Sequence, residues 1–300
     1  YDEKIALGVI MAGGALGQLF PPSILAIVFS GLSGVSVGKM FAVGLSTGAV
    51  MVFFLVAYIV VRCWLDKNLC PAADDSMMGH IEPKERVRIY LRTVPSVLVV
   101  FAVLGSLFAG IATPTEAAAI GAAASMIIAL ILGTIDLKRI FEAAVEAAKQ
   151  TTMVLWIALN SLLLVSVYSG IGGDEVVRAL IDSLGVSPGV VIGVMLATIF
   201  VLGFFVDPIG ILFLVMPVFL PVLTALDVNL VWIGALVILV LETAYLTPPF
   251  GYNIFFLKSV APPSISLRTI YAAAPAFVLM QLVTVAACFT MPGIVLWIIN

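Results

Sequence analysis

The sequence predicts an all-α, polytopic membrane protein with a re-entrant hairpin and broken helices. Hydrophobic residues make up 63% of the 300 residues and charged residues only 10%, and the mean hydropathy is +1.24. A soluble domain carries about 25% charged residues. Apolar windows of about 20 residues, the length that a spanning helix needs, recur along the chain. Hydrocarbon is therefore the expected solvent for most of the surface.

Charge and motif content disfavour two other classes of protein. The 14 basic and 17 acidic residues give a net charge of −3, so the chain has no global basic field that would attract a nucleic acid. The HExxH and Walker motifs are absent from the sequence, as is a paired-aspartate signature of membrane hydrolysis. We therefore expect neither a nucleic-acid binder nor an enzyme.

Six apolar windows are long enough to cross a bilayer. They cover residues 5–31, 38–61, 93–111, 115–133, 151–169 and 270–298. Two further apolar regions, 187–224 and 230–258, are interrupted by Gly, Pro and one acidic residue each. Residues 137–149 mix charged and apolar side chains with a helical period, which predicts an amphipathic helix at the cytoplasmic interface.

Basic residues predict the orientation, because loops rich in Lys and Arg stay in the cytoplasm. Residues 62–92 hold six of the fourteen basic residues, and we expect this loop to be cytoplasmic. If 187–224 is a re-entrant hairpin and 230–258 crosses once, only Lys39 and Arg178 lie outside. Two full crossings within 187–224 would give the same count. Only the length of that region, 38 residues, disfavours them.

Two regions of the chain resemble inverted copies of one repeat. An apolar helix runs into Pro21-Pro22-Ser23 in the first copy and into Pro248-Pro249-Phe250 in the second. By the charge count, the first helix runs from inside to outside and the second from outside to inside. We therefore divide the chain into the end of a first inverted repeat (1–62), a cytoplasmic loop (63–92) and a second inverted repeat (93–300). Paired interruptions of this kind indicate the central site of a secondary transporter.

The two Pro pairs predict sites for a cation. Each pair removes backbone donors, so the carbonyls just upstream lose their partners within the helix. At membrane depth such carbonyls are costly to bury, and a hard cation that prefers oxygen ligands can replace the lost hydrogen bonds. Thr247 and Ser23 are placed to add hydroxyl groups, and Gly17 and Ala244 lie one turn before the breaks. The alternative is that the Pro pairs only kink two helices, which membrane helices tolerate.

Two carboxylates at apparent membrane depth are candidates for substrate binding or ion coupling. Asp207 lies in the Gly- and Pro-rich turn that follows Gly203, where its alternative role is to cap the second arm of the hairpin. Glu242 lies in the second broken helix, and three roles stay open for it: binding a cation, relaying protons or anchoring the loop. The four prolines of the two breaks complete this set of candidates, namely Pro21, Pro22, Pro248 and Pro249.

Three motifs, in order along the chain, resemble the large membrane subunit of tripartite ATP-independent periplasmic (TRAP) transporters. They are Gly13-Gly14-Ala15-Leu16-Gly17 with Pro21-Pro22-Ser23, then Gly110-Ile111-Ala112-Thr113-Pro114-Thr115-Glu116-Ala117-Ala118-Ala119, and finally Leu246-Thr247-Pro248-Pro249-Phe250-Gly251-Tyr252-Asn253. The resemblance covers essentially the whole chain. It implies a sodium-coupled elevator transporter, multi-pass in the bacterial inner membrane, whose substrates are organic acids such as C4-dicarboxylates or sialic acid. The partners that it implies are a small four-helix membrane subunit, a periplasmic substrate-binding protein and the lipid bilayer.

The resemblance also implies two sodium sites, each between a hairpin tip and a broken helix. Carried onto this chain, one site uses Gly203, Ala244, Thr247 and Phe250, and the other uses Gly17, Phe20 and Ser23, mostly through backbone carbonyls. The first spans and first hairpin of the family have no counterpart in this sequence. Half of the site that uses Gly17, Phe20 and Ser23 is therefore expected to be missing. We expect that this fragment alone does not transport.

One alternative of the same architecture stays open, a single-component sodium/dicarboxylate symporter. The two readings differ in whether uptake depends on a binding protein. A channel would need a continuous polar pore, which the sequence does not show. In the mechanism that we expect, sodium orders the hairpin tips and the hairpin domain slides against the long helices at 38–61 and 270–298.

Overall fold

A computed structural model describes residues 2–71, 83–173, 175–176, 179, 185, 187–249 and 251–299. Every regular element within these residues is a helix, which confirms the all-α prediction. The chain divides into two compact units. The larger unit comprises Tyr1–Pro71 and Val154–Asn300, and the smaller unit comprises Ala72–Met153.

The helices of the described residues are numbered in chain order. They are α1 (Glu3–Leu16), α2 (Ile24–Ser33), α3 (Val37–Leu65), α4 (Pro83–Phe108), α5 (Pro114–Ile131), α6 (Leu137–Gly170), α7 (Pro188–Leu202), α8 (Pro208–Ala225), α9 (Leu230–Ala244), α10 (Tyr252–Val260), α11 (Leu267–Thr290) and α12 (Pro292–Leu296).

Both of the predicted broken helices are interrupted in the structure. The first separates α1 from α2, and the second separates α9 from α10. Each Pro pair lies inside the gap, because two consecutive residues without an N–H group leave two successive carbonyls of the preceding turn without their helical donors. Both Pro–Pro peptide bonds, Pro21–Pro22 and Pro248–Pro249, are cis. Ser23 then starts α2, since its hydroxyl oxygen accepts a hydrogen bond from the N–H of Ala26 at 3.2 Å.

Three helix boundaries differ from the prediction. The amphipathic segment at 137–149 and the span at 151–169 form one continuous helix, α6, because neither Gly nor Pro separates them. Helix α4 begins at Pro83, within the predicted loop at 63–92. The final predicted span is divided at Pro292, which ends α11 and begins the short helix α12.

Five of the described helices are long and apolar enough to cross a membrane, which supports a multi-pass protein. They are α3, α5, α6, α8 and α11. In the predicted hairpin, the 15 residues of α7 extend about 22 Å, less than the roughly 30 Å of a bilayer core. Helix α8 has 18 residues and meets the criterion by itself. The re-entrant course of residues 187–224 therefore stays a prediction.

Helix α9 lies at the centre of the larger unit. All of its residues except Leu230 and Trp232 are buried, as is typical of a helix that is apolar on every side. It packs against α2, α3, α7, α8, α11 and α12. At Gly234 a Cβ atom would stand 2.5 Å from the Phe29 ring and 2.6 Å from the Met40 side chain, so the absent side chain allows α2 and α3 to approach closely. The break that follows α9 is thereby attached to a well-packed element.

In the smaller unit, Thr113 is the N-cap of α5. The backbone N–H of Thr113 donates to the carboxylate of Glu116 at 2.8 Å, and the Thr113 hydroxyl accepts from the N–H of Glu116 in return. This reciprocal pair is a capping box. Helices α4 and α5 pack together where Gly121 faces Val103. Capping of α5 is sufficient to explain the position of the Glu116 carboxylate, so no role in transport is needed to explain it.

Candidate functional site

The break between α9 and α10 changes the hydrogen bonding of the backbone carbonyls at the end of α9. Because Pro248 and Pro249 have no N–H, the carbonyls of Ala244 and Tyr245 lack the donor that a helix would provide. The Tyr245 carbonyl accepts instead from the N–H of Asn253 at 3.1 Å. Within the described residues, the Ala244 carbonyl accepts no hydrogen bond. A buried oxygen is therefore available for another ligand at the end of α9.

The tip of the hairpin lies directly against this break. A Cβ atom added at Gly203 would stand 2.9 Å from the Cβ of Ala244, and both residues are buried. One turn further along, the buried Thr247 hydroxyl donates to the Thr243 carbonyl at 2.9 Å, which leaves the lone pairs of the hydroxyl oxygen free to accept. Of the residues predicted for this sodium site, Phe250 lies outside the described residues.

Asp207 caps α8 and also connects the hairpin tip to α10. Its carboxylate accepts from the N–H groups of Ile209 at 3.0 Å and Gly210 at 3.3 Å, which is the capping role considered from the sequence. The other carboxylate oxygen accepts from the Tyr252 hydroxyl at 3.3 Å. The sequence analysis missed Tyr252. Its signal was an aromatic hydroxyl three residues after the second Pro pair.

The first break repeats the arrangement of the second. Pro21 and Pro22 deprive the carbonyls of Gly17 and Gln18 of helical donors. The Ser23 hydroxyl donates to the Gln18 carbonyl, whereas within the described residues the Gly17 carbonyl accepts no hydrogen bond. Gly17 and Ala244 thus occupy equivalent positions in the two breaks, but Gly17 is exposed and Ala244 is buried.

Two glycines of α3 hold the first break, and the sequence analysis missed both. A Cβ at Gly44 would stand 2.6 Å from the Leu19 carbonyl oxygen, and a Cβ at Gly48 would stand 2.7 Å from the ring of Phe20. Phe20, predicted as a sodium ligand through its carbonyl, therefore packs its ring against α3. The signal was a pair of glycines four residues apart in an apolar helix, the spacing typical of close helix packing.

The two breaks are connected by a side chain that was also missed. The Asn253 side-chain amide donates to the Met11 carbonyl in α1 at 2.9 Å, and a Cβ at Gly14 would stand 3.3 Å from the same amide nitrogen. Because Asn253 also closes the second break through its backbone, one residue links the start of α10 to the end of α1. The side chains of the four prolines themselves bring no polar group to either break.

Comparison with known proteins shows which family the sequence matches. The family model described as "Tripartite ATP-independent periplasmic transporter, DctM component" matches residues 1–294. The chain belongs to this family. The resemblance inferred from the Pro-Pro motifs is thereby confirmed.

Individual relatives carry related names. The chain is 29% identical over 278 residues to the C4-dicarboxylate TRAP transporter large permease protein DctM of Pseudomonas aeruginosa, covering 92% of this chain and 63% of that protein. It is 30% identical over 298 residues to the protein of the same name from Vibrio cholerae, covering 92% and 64%. With the sialic acid TRAP transporter permease protein SiaT of Haemophilus influenzae it shares 26% over 292 residues, covering 95% and 46%. The chain thus spans less than two thirds of the length of these relatives.

Glu242 of this DctM-family chain lies apart from the hairpin contact. Its side chain is fully buried, and on an α-helix it projects roughly 200° away from that of Ala244. Neither carboxylate oxygen has a hydrogen-bond partner within the described residues. Over those same residues, groups of three or more His, Cys, Asp or Glu that would suit a metal are absent. The candidate ligands at the contact between Gly203 and Ala244 are carbonyl and hydroxyl oxygens, and the nearby Asp207 carboxylate accepts hydrogen bonds from Ile209, Gly210 and Tyr252.

Proposed function

We propose that this chain is part of the large membrane subunit of a sodium-coupled secondary transporter, which imports organic acids delivered by a periplasmic substrate-binding protein. The observation that carries the proposal is the buried contact between Gly203 and Ala244, beside a carbonyl that accepts no hydrogen bond from the described residues. Membership of the DctM family supports the transport role.

Sodium suits the chemistry of the second break. A hard cation prefers oxygen ligands, and unwound carbonyls at broken helices coordinate sodium in other secondary transporters. Here the Ala244 carbonyl, the Thr247 hydroxyl and the backbone of Gly203 are the candidate ligands. A sodium ion bound among them would attach the hairpin tip to the end of α9. Ion binding would in this way order the tip.

A second sodium ion is proposed at the first break. The carbonyl of the exposed Gly17 is equivalent to that of Ala244, and Ser23 adds a hydroxyl directly after the Pro pair. The Phe20 carbonyl is the third candidate, since the packing of its ring against Gly48 fixes the backbone at that point. The same oxygen chemistry thus recurs in the two halves of the inverted repeat.

The names of the relatives and the scarcity of buried basic side chains support the proposed substrate class. The names of the relatives refer to C4-dicarboxylates and sialic acid, which are organic anions. Within the described residues the buried side chains include no Lys, Arg or His. We propose that bound sodium supplies the positive charge for the anion. The proposed partners are a small four-helix membrane subunit and a periplasmic binding protein, in the bacterial inner membrane.

The proposed movement is that of an elevator. The hairpin of α7 and α8 packs against α9 and α2, and these two helices pack on α3, which also packs against α11. We propose that the first group carries the substrate and that the long helices α3 and α11 belong to the scaffold. Sodium at the tip would close the hairpin before the movement. A single-component sodium/dicarboxylate symporter of the same architecture is the second candidate, and dependence on a binding protein separates the two.

The test uses the full-length parent, reconstituted in liposomes with its small subunit. Uptake of radioactive succinate or sialic acid is measured with and without an inward sodium gradient, and with and without the binding protein. We expect uptake only when both are present. Uptake that needs sodium but not the binding protein would favour the single-component symporter, and uptake indifferent to sodium would refute the sodium sites. Liposomes with residues 1–300 alone are the control and should show no uptake.

A further inference from the structure

Within the described residues, two polar side chains of the larger unit that are 0% exposed have no hydrogen-bond partner. Both carboxylate oxygens of Glu242 lack a hydrogen bond within the described residues, and so do the amide nitrogen and oxygen of Gln281. The exposed fraction of each residue is 0%. Buried polar groups are nearly always hydrogen-bonded in proteins, and each unpaired group in a native structure requires an explanation. Four unpaired atoms on two packed helices therefore point to a ligand.

The two helices that carry these side chains run antiparallel. At the start of α9, the Trp232 indole N–H donates to the Cys288 carbonyl near the end of α11 at 2.9 Å. At the other end, α10 follows α9 and contacts α1. Helix α1 in turn packs its Gly8 against Phe277 in the middle of α11. The end of α9 therefore lies beside the first half of α11.

Helix geometry places Glu242 and Gln281 at nearly the same height. Glu242 is ten residues after Trp232, or about 15 Å along α9, and Gln281 is seven residues before Cys288, or about 10.5 Å along α11. Measured from the indole hydrogen bond, the two levels differ by about 4.5 Å, which is less than one helical turn. The two side chains therefore lie at similar levels on two helices that pack against each other.

Basic side chains do not balance the charge of Glu242. The helices packed against α9 carry three basic residues, Lys39 and Arg62 on α3 and Arg268 on α11, and all three are exposed. An ionised carboxylate is costly to bury without a partner. A bound cation removes this cost by pairing the charge.

We propose that Glu242 and Gln281 bind a monovalent hard cation between α9 and α11. One carboxylate balances one positive charge, and carboxylate and amide oxygens are the ligands that sodium-like ions prefer. The site is distinct from the hairpin tip, because the Glu242 side chain projects on the opposite side of α9 from Ala244. It goes beyond the proposed function and does not depend on it.

The experiment measures bound radioactive sodium on the purified full-length parent with its small subunit, as ions per transporter at saturation. Glu242→Gln keeps the shape of the side chain and removes the charge, and we expect one sodium ion fewer. Gln281→Leu keeps the charge and removes an amide ligand, and it should raise the half-saturating sodium concentration about tenfold. The matched control is Glu116→Gln, at the exposed carboxylate of the α5 capping box, which should change neither value.

Four outcomes decide the inference. Unchanged sodium count and affinity in both variants would overturn it, and a carboxyl that binds a proton would give this result. If Glu242→Gln does not fold, Gln281→Leu decides alone. Thr247→Ala, which removes a candidate ligand of the hairpin-tip site, is measured in parallel. If this variant alone loses an ion, the site at Glu242 and Gln281 is refuted while the proposed function stands. If only Glu242→Gln loses an ion, the tip site of the proposed function is refuted while this inference stands.

Discussion

The Tyr252 hydroxyl donates a hydrogen bond to the Asp207 carboxylate at 3.3 Å, across 45 positions of the sequence. Asp207 is the last residue of the hairpin turn, and Tyr252 is the first residue of α10. Since the other oxygen of Asp207 caps α8, one carboxylate attaches the tip both to its own second arm and to the broken helix. Movement of the tip away from the break must therefore disrupt this hydrogen bond.

Tyr252→Phe should loosen the hairpin tip and leave the rest of the unit intact. The variant keeps the ring, which lies 6.0 Å from that of Tyr245, and removes only the hydroxyl. A hydrogen bond to a charged group contributes about 1.5–3 kcal/mol, so exchange of the tip amides at 204–207 should become about tenfold faster or more. Hydrogen exchange followed by mass spectrometry measures this. Tyr58→Phe in α3 is the control, and equal exchange at the tip in both variants would contradict the role.

Asp207→Ala should destabilise the hairpin more than Asp207→Asn. Asparagine retains a side-chain oxygen that accepts from the N–H groups of Ile209 and Gly210, whereas alanine leaves the first turn of α8 uncapped. Loss of an N-cap costs about 1 kcal/mol. Thermal unfolding of the purified transporter measures the difference. A variant with alanine that is as stable as the one with asparagine would show that capping is unimportant here.

The sequence was sufficient to predict the breaks but not what packs against them. Pro pairs stop a helix through local chemistry, so the ends of α1 and α9 followed from the residues themselves. The contact of Gly203 with Ala244 joins positions about forty residues apart, and the approach of two helices depends on how the chain packs as a whole. The same holds for Asn253 and Met11.

The Asp207 side chain shows a second limit of prediction from the sequence. Its sequence context favoured a cap and a functional carboxylate about equally, and the structure shows the cap together with a tertiary hydrogen bond. Residues 137–169 were divided because their polarity changes at about position 150. The backbone continues through that change, since a helix ends where its hydrogen bonds end and not where its surface polarity changes.

Gly203→Ala should separate the hairpin tip from α9. The new Cβ would stand 2.9 Å from the Ala244 Cβ and 3.2 Å from the Phe200 carbonyl oxygen, both closer than a comfortable contact. Overpacking of this kind costs about 1–3 kcal/mol. We expect a lower melting temperature and weaker sodium binding. The control is Gly193→Ala in α7, where an added Cβ meets nothing within 4 Å.

A second substitution tests whether the contact itself is responsible. Ala244→Gly removes the opposing Cβ, so the double variant should recover part of the stability that Gly203→Ala loses. Recovery is partial because the Phe200 carbonyl remains close. A thermodynamic cycle over the four proteins gives the coupling free energy. Additive effects, with no coupling, would show that the two residues do not pack together in the transporter.

Thr247→Ala should weaken sodium activation more than it lowers protein abundance. The variant removes a hydroxyl that donates to the Thr243 carbonyl and whose oxygen is a candidate sodium ligand. Thr198→Ala is a matched control, because the Thr198 hydroxyl also donates to the carbonyl four residues earlier, at 2.8 Å, on a helix surface away from the break. Both variants lose one such hydrogen bond, worth about 1 kcal/mol. If the half-saturating sodium concentration for uptake rises about tenfold in Thr247→Ala alone, the hydroxyl contributes to ion binding beyond its structural hydrogen bond. Equal sodium dependence in the two variants would remove Thr247 from the site.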